Sequence, residues 1–153
     1  MPMFLDDPLQ TMAAAYEEMR MGEDPWVALG NFMNDWFLYA TDQRAQLVAA
    51  PPVLTEDATL EERRWATFIA ASVEYLCEQY AVPCPVWAHD PRFCLDAPWY
   101  HALYVHEDVR ARLERTTPEA FKRRQIYCGD RVYLDKREIL SLPASGENYS
   151  SIE

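Results

Sequence analysis

A chain of 153 residues, half of them hydrophobic and 13% aromatic, can bury the core of one domain and is too short for two to be expected. No apolar run reaches the roughly 20 residues that span a bilayer, and residues 1–7 lack the basic and apolar segments of a signal peptide. These features predict a cytoplasmic protein whose four cysteines are reduced thiols rather than disulfides, and the formal net charge is −11.

The charge is divided unevenly along the chain. Residues 1–100 carry 16 acidic and 5 basic side chains, so all of the excess negative charge lies there. Residues 110–137 carry nine Lys or Arg against four Asp or Glu. An acidic body attracts basic partners and repels nucleic acid, although a solvated surface that keeps the protein soluble is the simpler interpretation of the same charges.

Two start signals, Asp7-Pro8 and Asp24-Pro25, precede the first two predicted helices. In each signal the acidic side chain can accept from free backbone N–H groups, and proline at the first helical position lacks a donor that would be unpaired anyway. The first helix is predicted to stop at Gly22. The second carries aromatic residues at three- and four-residue spacing, which favours the core over an exposed patch, and it or a short further helix ends at Pro51-Pro52.

The longest predicted helix spans about residues 60–81. Thr59 and Glu62 have the spacing of a capping box, and apolar residues from Trp65 to Tyr80, Cys77 among them, form one broad face. The predicted fold is therefore mainly α, a single helical domain over residues 1–142 packed around this central amphipathic helix. The polar residues 143–153 are expected to be a flexible tail.

Residues 83–100 form an irregular stretch rich in proline and aromatic side chains, which we call the Pro/Trp loop. Its prolines impose extended backbone, so the chain must leave the central helix there. Such a loop is stable if its aromatic side chains are buried against helices. The alternative is that Trp87, Trp99 and Tyr100 form a partner-binding cleft, because Trp and Tyr are enriched at interface hot spots.

Beyond the loop, two short helices and one small hairpin are predicted. Val105, Val109 and Leu113 recur at four-residue steps, and Thr117-Pro118-Glu119 begins a second helix. A glycine-containing turn between two short apolar runs then predicts a β-hairpin near residues 126–134, which is marginal without support.

A basic segment, residues 110–137, overlaps these elements. Its Lys122-Arg123-Arg124 run and the arginines before it could contact a phosphate backbone or an acidic protein surface. A solvated helix face is the first interpretation of these charges, and pairing with the acidic body is the second.

Cys84, His89, Cys94 and His101 are weak candidate metal ligands within one irregular segment. Structural zinc sites usually show two pairs of closely spaced ligands, and the intervals of four, four and six residues here match that pattern poorly. A nucleophile and base pair such as Cys94 with His101 or His106 is equally weak, because no accompanying motif is present. No cofactor is predicted, and the chain is not expected to be an enzyme.

Three groups of residues together resemble a known module. They are Pro83-x-Pro85-x-Trp87, Leu95-Asp96-x-Pro98-Trp99-Tyr100 and Thr117-Pro118-x-Ala120-Phe121-Lys122-Arg123-Arg124-x-Ile126. In these motifs, over about residues 25–138, the chain resembles small uncharacterised bacterial proteins from paired genes, beside predicted nucleotidyltransferase-like toxins or joined to helix-turn-helix domains. The resemblance implies an antitoxin-like or regulatory partner protein, in which the matched motif positions either bind the partner or maintain the fold.

The favoured function is a non-catalytic protein-binding module that neutralises a second bacterial protein, encoded by a neighbouring gene. The predicted partner-binding residues are Trp87, Trp99, Tyr100, Phe121, Arg123 and Arg124. One alternative is a nucleic-acid-associated regulator that uses the basic segment, and another is a small metal-dependent enzyme. No membrane contact is expected.

Overall fold

The computed structural model describes residues 8–101 and 106–134. These residues are mainly α-helical, as predicted, and among them one small two-stranded sheet is present. The elements are helices α1 (Met12–Arg20), α2 (Pro25–Asn34), α3 (Arg44–Leu47) and α4 (Leu60–Tyr80), strand β1 (Trp99–Tyr100), helices α5 (Glu107–Thr116) and α6 (Glu119–Lys122), and strand β2 (Ile126–Tyr127). A π-helical turn, Asp35–Tyr39, continues α2. The predicted tail, residues 143–153, lies outside the described residues.

The start of α2 is confirmed, whereas α1 begins later than predicted. A carboxylate oxygen of Asp24 accepts from the backbone N–H of Trp26 at 2.7 Å, with Pro25 at the first helical position. Helix α1 is capped instead by Thr11, whose hydroxyl accepts from the N–H of Ala14 at 3.0 Å. Thr11 lies directly before Met12, the first residue of the buried face of α1. Asp7 lies outside the described residues.

Helix α4 is the scaffold that the sequence predicts. Both hydrogen bonds of the capping box between Thr59 and Glu62 are present at 3.0 Å. The helix ends at Tyr80, where Ala81 adopts a left-handed conformation with φ of 57°. Helix α4 packs against α1, α6 and the 3-10 turn Val86–His89 of the Pro/Trp loop. Its buried face comprises Trp65, Ala66, Thr67, Phe68, Ile69, Ala70, Ala71, Ser72, Val73, Leu76 and Cys77.

The predicted hairpin near residues 126–134 is wrong. Strand β2 pairs in parallel with β1, so that Trp99 lies opposite Ile126 and Tyr100 opposite Tyr127. The two tyrosine rings stack with their centroids 4.7 Å apart. The predicted hairpin would place Tyr133 in its second strand. Tyr133 is instead buried against α4, where its hydroxyl donates to Ser72 Oγ at 2.7 Å.

A buried guanidinium connects three parts of the fold. Arg124 Nη1 donates to Glu74 Oε1 on α4 and to the carbonyl oxygen of Ala120, both at 2.7 Å. Its Nη2 donates to the carbonyl oxygen of Ala88 in the Pro/Trp loop at 2.6 Å. Arg124 therefore joins the loop and α6 to the central helix.

Replacing this guanidinium is expected to be far more costly than replacing its neighbour. Arg124→Met leaves Glu74 Oε1 and two carbonyl oxygens without the donor that they share, so it should lower the free energy of unfolding by about 3–5 kcal/mol. Arg123→Met is the matched control, because that side chain binds the same carboxylate but is 47% exposed against 6% for Arg124. It should cost less than about 1 kcal/mol. Urea denaturation measures both, and equal losses would contradict the prediction.

Candidate functional site

A groove of about 310 Å³ opens where the turn after α1 meets the start of α4. A shallow depression next to it shares Gly22 and Glu23, so the two form one continuous surface, which we call the acidic groove. The residues that line it are Tyr16, Glu17, Glu18, Met19, Arg20, Met21, Gly22, Glu23, Pro25, Thr59, Glu61, Glu62 and Trp65.

Local backbone rules build this groove. Gly22 has φ of +106°, which favours glycine, and it allows the chain to reverse direction between α1 and α2. Glu61 and Glu62 lie in the first turn of α4, where the helix dipole favours carboxylates. The sequence alone indicates both features, but it does not show that the turn and the helix start are adjacent.

The groove is strongly acidic, since five carboxylates and one guanidinium line it. That guanidinium, Arg20, lies 2.9 Å from Glu17 Oε2 and 3.9 Å from Glu62 Oε2. Glu61 Oε2 accepts from Trp65 Nε1 at 2.8 Å. Burial, and next the nearby Glu62 carboxylate, raise the pKa of the Tyr16 hydroxyl. The groove thus presents an excess of negative charge to solvent.

Exposed apolar side chains accompany these charges. Met21, in the groove, is 83% exposed, and Trp26, which follows Pro25 of the groove, is 48% exposed. The Trp26 ring meets the Trp65 ring edge-on, with 5.5 Å between centroids. Large apolar groups next to one sign of charge are a combination typical of interaction surfaces, which makes the acidic groove the candidate functional site.

The aromatic residues predicted to bind a partner are mostly engaged within the protein. Trp87 is half-buried, and its Nε1 donates to the carbonyl oxygen of Val48 at 3.0 Å. Trp99 is half-buried against Trp65, with ring centroids 5.1 Å apart. The Tyr100 hydroxyl donates to Glu114 Oε2. These contacts favour the interpretation of the Pro/Trp loop as packed structure, and partner binding by the three residues stays a prediction.

The prediction requires correction at two other positions. Phe121 belongs to the core, and Arg124 is buried in the contacts described above, so neither is accessible to a partner in this fold. The sequence motif gives the residue types and their spacing, but it does not show whether a side chain is buried or exposed. Arg123 is exposed, and its Nη1 donates to Glu74 Oε2 at 2.7 Å. Pairing with the acidic body thus accounts for both arginines.

Some of the other described basic residues of the segment form contacts within the protein as well. Lys122 Nζ donates to the carbonyl oxygen of Glu114 at 3.2 Å, and the Arg110 guanidinium lies 4.6 Å from the centroid of the Tyr100 ring. Arg112 and Arg115 are exposed on α5. The Lys122-Arg123-Arg124 run therefore offers less free positive charge than its sequence indicates.

The four weak metal-ligand candidates do not converge. Cys84 Sγ lies 3.7 Å from His89 Nε2, while Cys94 Sγ donates to the carbonyl oxygen of Arg123 at 3.8 Å and His101 is enclosed by aromatic rings. Over residues 8–101 and 106–134, no three His, Cys, Asp or Glu side chains are grouped so that they could bind a metal ion. In the same residues, no helix is long and apolar enough to cross a membrane.

His101 is enclosed by aromatic rings, which the sequence does not predict. Its ring centroid lies 4.0 Å from that of Trp99, 5.2 Å from that of Phe68 and 5.7 Å from that of Trp65, and it stacks on Phe68. Its Nε2 is buried and has no hydrogen-bond partner among the described residues. Burial, and to a lesser extent the charge of Arg64, lower the pKa of His101 to about 4. No local pattern indicates this, because these three rings come from two elements, α4 and β1, that are far apart in the chain.

Comparisons of the chain with protein-family models, with curated proteins and with solved structures find no match. The resemblance of the Pro/Trp motifs to paired-gene proteins therefore stays an expectation. The assignment of the acidic groove rests on its geometry and charge.

The enclosed His101 predicts a specific pH dependence of stability. The folded protein keeps this imidazole neutral down to about pH 4, whereas the unfolded chain protonates it near 6.5. Between these values the unfolded state binds more protons, so this contribution to the free energy of unfolding falls as the pH falls, by at most about 1.4 kcal/mol per pH unit. His101→Phe, which cannot titrate, should remove that part of the slope.

Urea denaturation of both proteins across this pH window measures the difference. The carboxylates titrate in both proteins and cancel in the comparison. Parallel pH profiles for the wild type and His101→Phe would contradict the prediction.

Proposed function

We propose that this protein is a non-catalytic protein-binding module that recognises a basic surface of a partner protein through the acidic groove. The observation that carries the proposal is the exposure of Met21 and Trp26 beside an excess of carboxylates. A solvated surface that serves solubility alone needs the charges but not the exposed apolar groups. A partner-binding surface uses both.

The two components have different physical roles. The carboxylates attract a basic partner at distances up to about a Debye length, roughly 10 Å at moderate salt, and so increase the association rate. Met21 and Trp26 lose exposed apolar surface on contact, which slows dissociation. Full burial of a methionine side chain contributes about 1.5–3 kcal/mol.

The family resemblance supports a particular kind of partner. In the antitoxin-like interpretation, the partner is the product of a neighbouring gene, and the acidic groove covers a basic site on it. Neutralisation would then follow from occlusion, and it requires no chemistry from this chain.

The nucleic-acid alternative has less support from the geometry. With Arg124 buried and Arg123 bound to Glu74, it rests on exposed α5 arginines such as Arg112 and Arg115. It predicts steeply salt-dependent binding to nucleic acid that weakens when these arginines are replaced. It is a possible outcome of the experiment below.

Two groove variants test the proposal, in co-expression with the neighbouring gene product followed by size-exclusion chromatography with mass determination. We expect a stable complex with the wild type. Glu23→Lys should slow association several-fold and make the loss of binding with salt shallower, because it replaces an attractive charge by one that repels a basic partner. Met21→Ser should speed dissociation, because it removes the apolar contact.

Each variant has a matched control outside the groove. Glu119→Lys makes the same charge change on α6, and Val86→Ser removes an apolar side chain that is 88% exposed in the Pro/Trp loop. Neither should alter the complex. Separate elution of the wild-type proteins would contradict the proposal for this partner, and equal effects of groove and control variants would place the interface elsewhere. Binding to duplex DNA or to RNA by the wild type in place of a protein complex would favour the alternative.

A further inference from the structure

A second pocket of about 340 Å³ lies between α4 and the Pro/Trp loop. From α4 it is lined by Leu60, Arg63, Arg64 and Thr67, which follow one another at helical spacing and so share one face of the helix. Glu61, Glu62 and Trp65 of the acidic groove lie on the opposite face of the same turns. The other wall is formed by Pro91, Arg92, Cys94, Leu95, Asp96 and Ala97.

Positive charge is concentrated in this pocket, which we call the arginine pocket. Residues 1–100 contain 16 acidic but only five basic side chains, and three of those five, Arg63, Arg64 and Arg92, line it. Asp96 is the one carboxylate in the lining. If the basic residues served only solubility, we would expect them to be scattered among the many acidic residues and not to cluster in one pocket.

Two of these arginines are available to a ligand. Among the described residues, neither Arg63 nor Arg64 forms an ion pair with a carboxylate, whereas Arg92 pairs with Asp90 at 3.3 Å. The Arg64 guanidinium lies 5.4 Å from the centroid of the Trp99 ring, which restricts its position. Arg63 Nη2 is 3.5 Å from the carbonyl oxygen of Glu56.

We propose that the arginine pocket binds a small molecule that carries a phosphate or carboxylate group. Adjacent guanidinium groups on a rigid helix present paired N–H donors that match the oxygens of such an anion. Leu60, Leu95 and Ala97 provide an apolar wall for the rest of the molecule. The volume lies at the lower end of the range of small-ligand sites. This inference is independent of protein binding, because the acidic groove is on the other face of α4.

Cys94 provides a reporter inside this pocket. Of the four cysteines, all in the described residues, Cys94 is the exposed one, so alkylation of the native protein should occur mainly there. A bound anion should shield its thiol. The arginines should also favour a negatively charged alkylating reagent over a neutral one of similar size.

The first test is calorimetric titration at low ionic strength with phenyl phosphate and with benzoate, and with benzyl alcohol as the neutral probe. The wild type should bind one or both anions saturably and should not bind benzyl alcohol. The double variant Arg63→Gln/Arg64→Gln should weaken binding at least about tenfold, because it removes two charge-assisted hydrogen-bonding groups. The matched control Arg112→Gln/Arg115→Gln, on α5, removes equal charge and should bind as the wild type does.

The relative strength of the two anions identifies the ligand class, phosphate or carboxylate. The absence of saturable binding of both anions by the wild type would overturn the proposal. Equal weakening in the control would also overturn it, since binding would then follow overall charge.

The second test is the rate of Cys94 alkylation by iodoacetate divided by the rate by iodoacetamide, followed by mass spectrometry of the Cys94 peptide. The reactivity of the thiol enters both rates equally, so this ratio reports the attraction of an anion into the pocket. It should fall several-fold in Arg63→Gln/Arg64→Gln and stay unchanged in the α5 control. Arg92→Gln, a single change at an exposed side chain, should lower it in the same direction if the double variant does not fold. An unchanged ratio would overturn the proposal.

Discussion

The fold depends on the contact between Arg124 and Glu74. A guanidinium that is removed from water needs acceptors for its donors, and those of Arg124 lie on α4, on α6 and in the Pro/Trp loop. The irregular loop is therefore attached to the helix through its backbone carbonyl at Ala88 as well as through its aromatic side chains. Because β2 begins two residues after Arg124, the same contact brings Ile126 to the position where it pairs with Trp99. That pairing in turn carries His101 to the aromatic rings of α4.

Helix α4 separates two surfaces of opposite charge. Helical periodicity places Glu61 and Glu62 on one face of its first turns and Arg63 and Arg64 on the other. Neighbouring elements complete each surface: the α1–α2 turn adds carboxylates and apolar groups to the first, and the Pro/Trp loop adds Arg92 to the second. A rigid helix with a satisfied capping box holds both surfaces in place, so under the two proposals neither surface would have to form on binding.

The residues that carry the resemblance to paired-gene proteins are mainly buried or half-buried. Phe121 and Arg124 are buried, Trp87 and Trp99 are half-buried, and Arg123 contacts the same carboxylate as Arg124. Their spacing therefore describes how the loop, α6 and β2 pack on the central helix. The groove residues Met21 and Glu23, by contrast, belong to none of these motifs. In the proposed function they act through exposure and charge, which need no particular spacing.

Local rules in the sequence determined the helices and their ends. The Asp24 cap, the capping box at Thr59 and the apolar face of α4 follow from interactions over three or four residues, and all three are confirmed. The pairing of β1 with β2, the burial of Arg124 and the convergence of Arg63 with Arg92 were decided by the tertiary structure. These contacts join residues about 27 to 50 positions apart, and their free energies depend on which groups are removed from water together, a property that no local window of sequence contains.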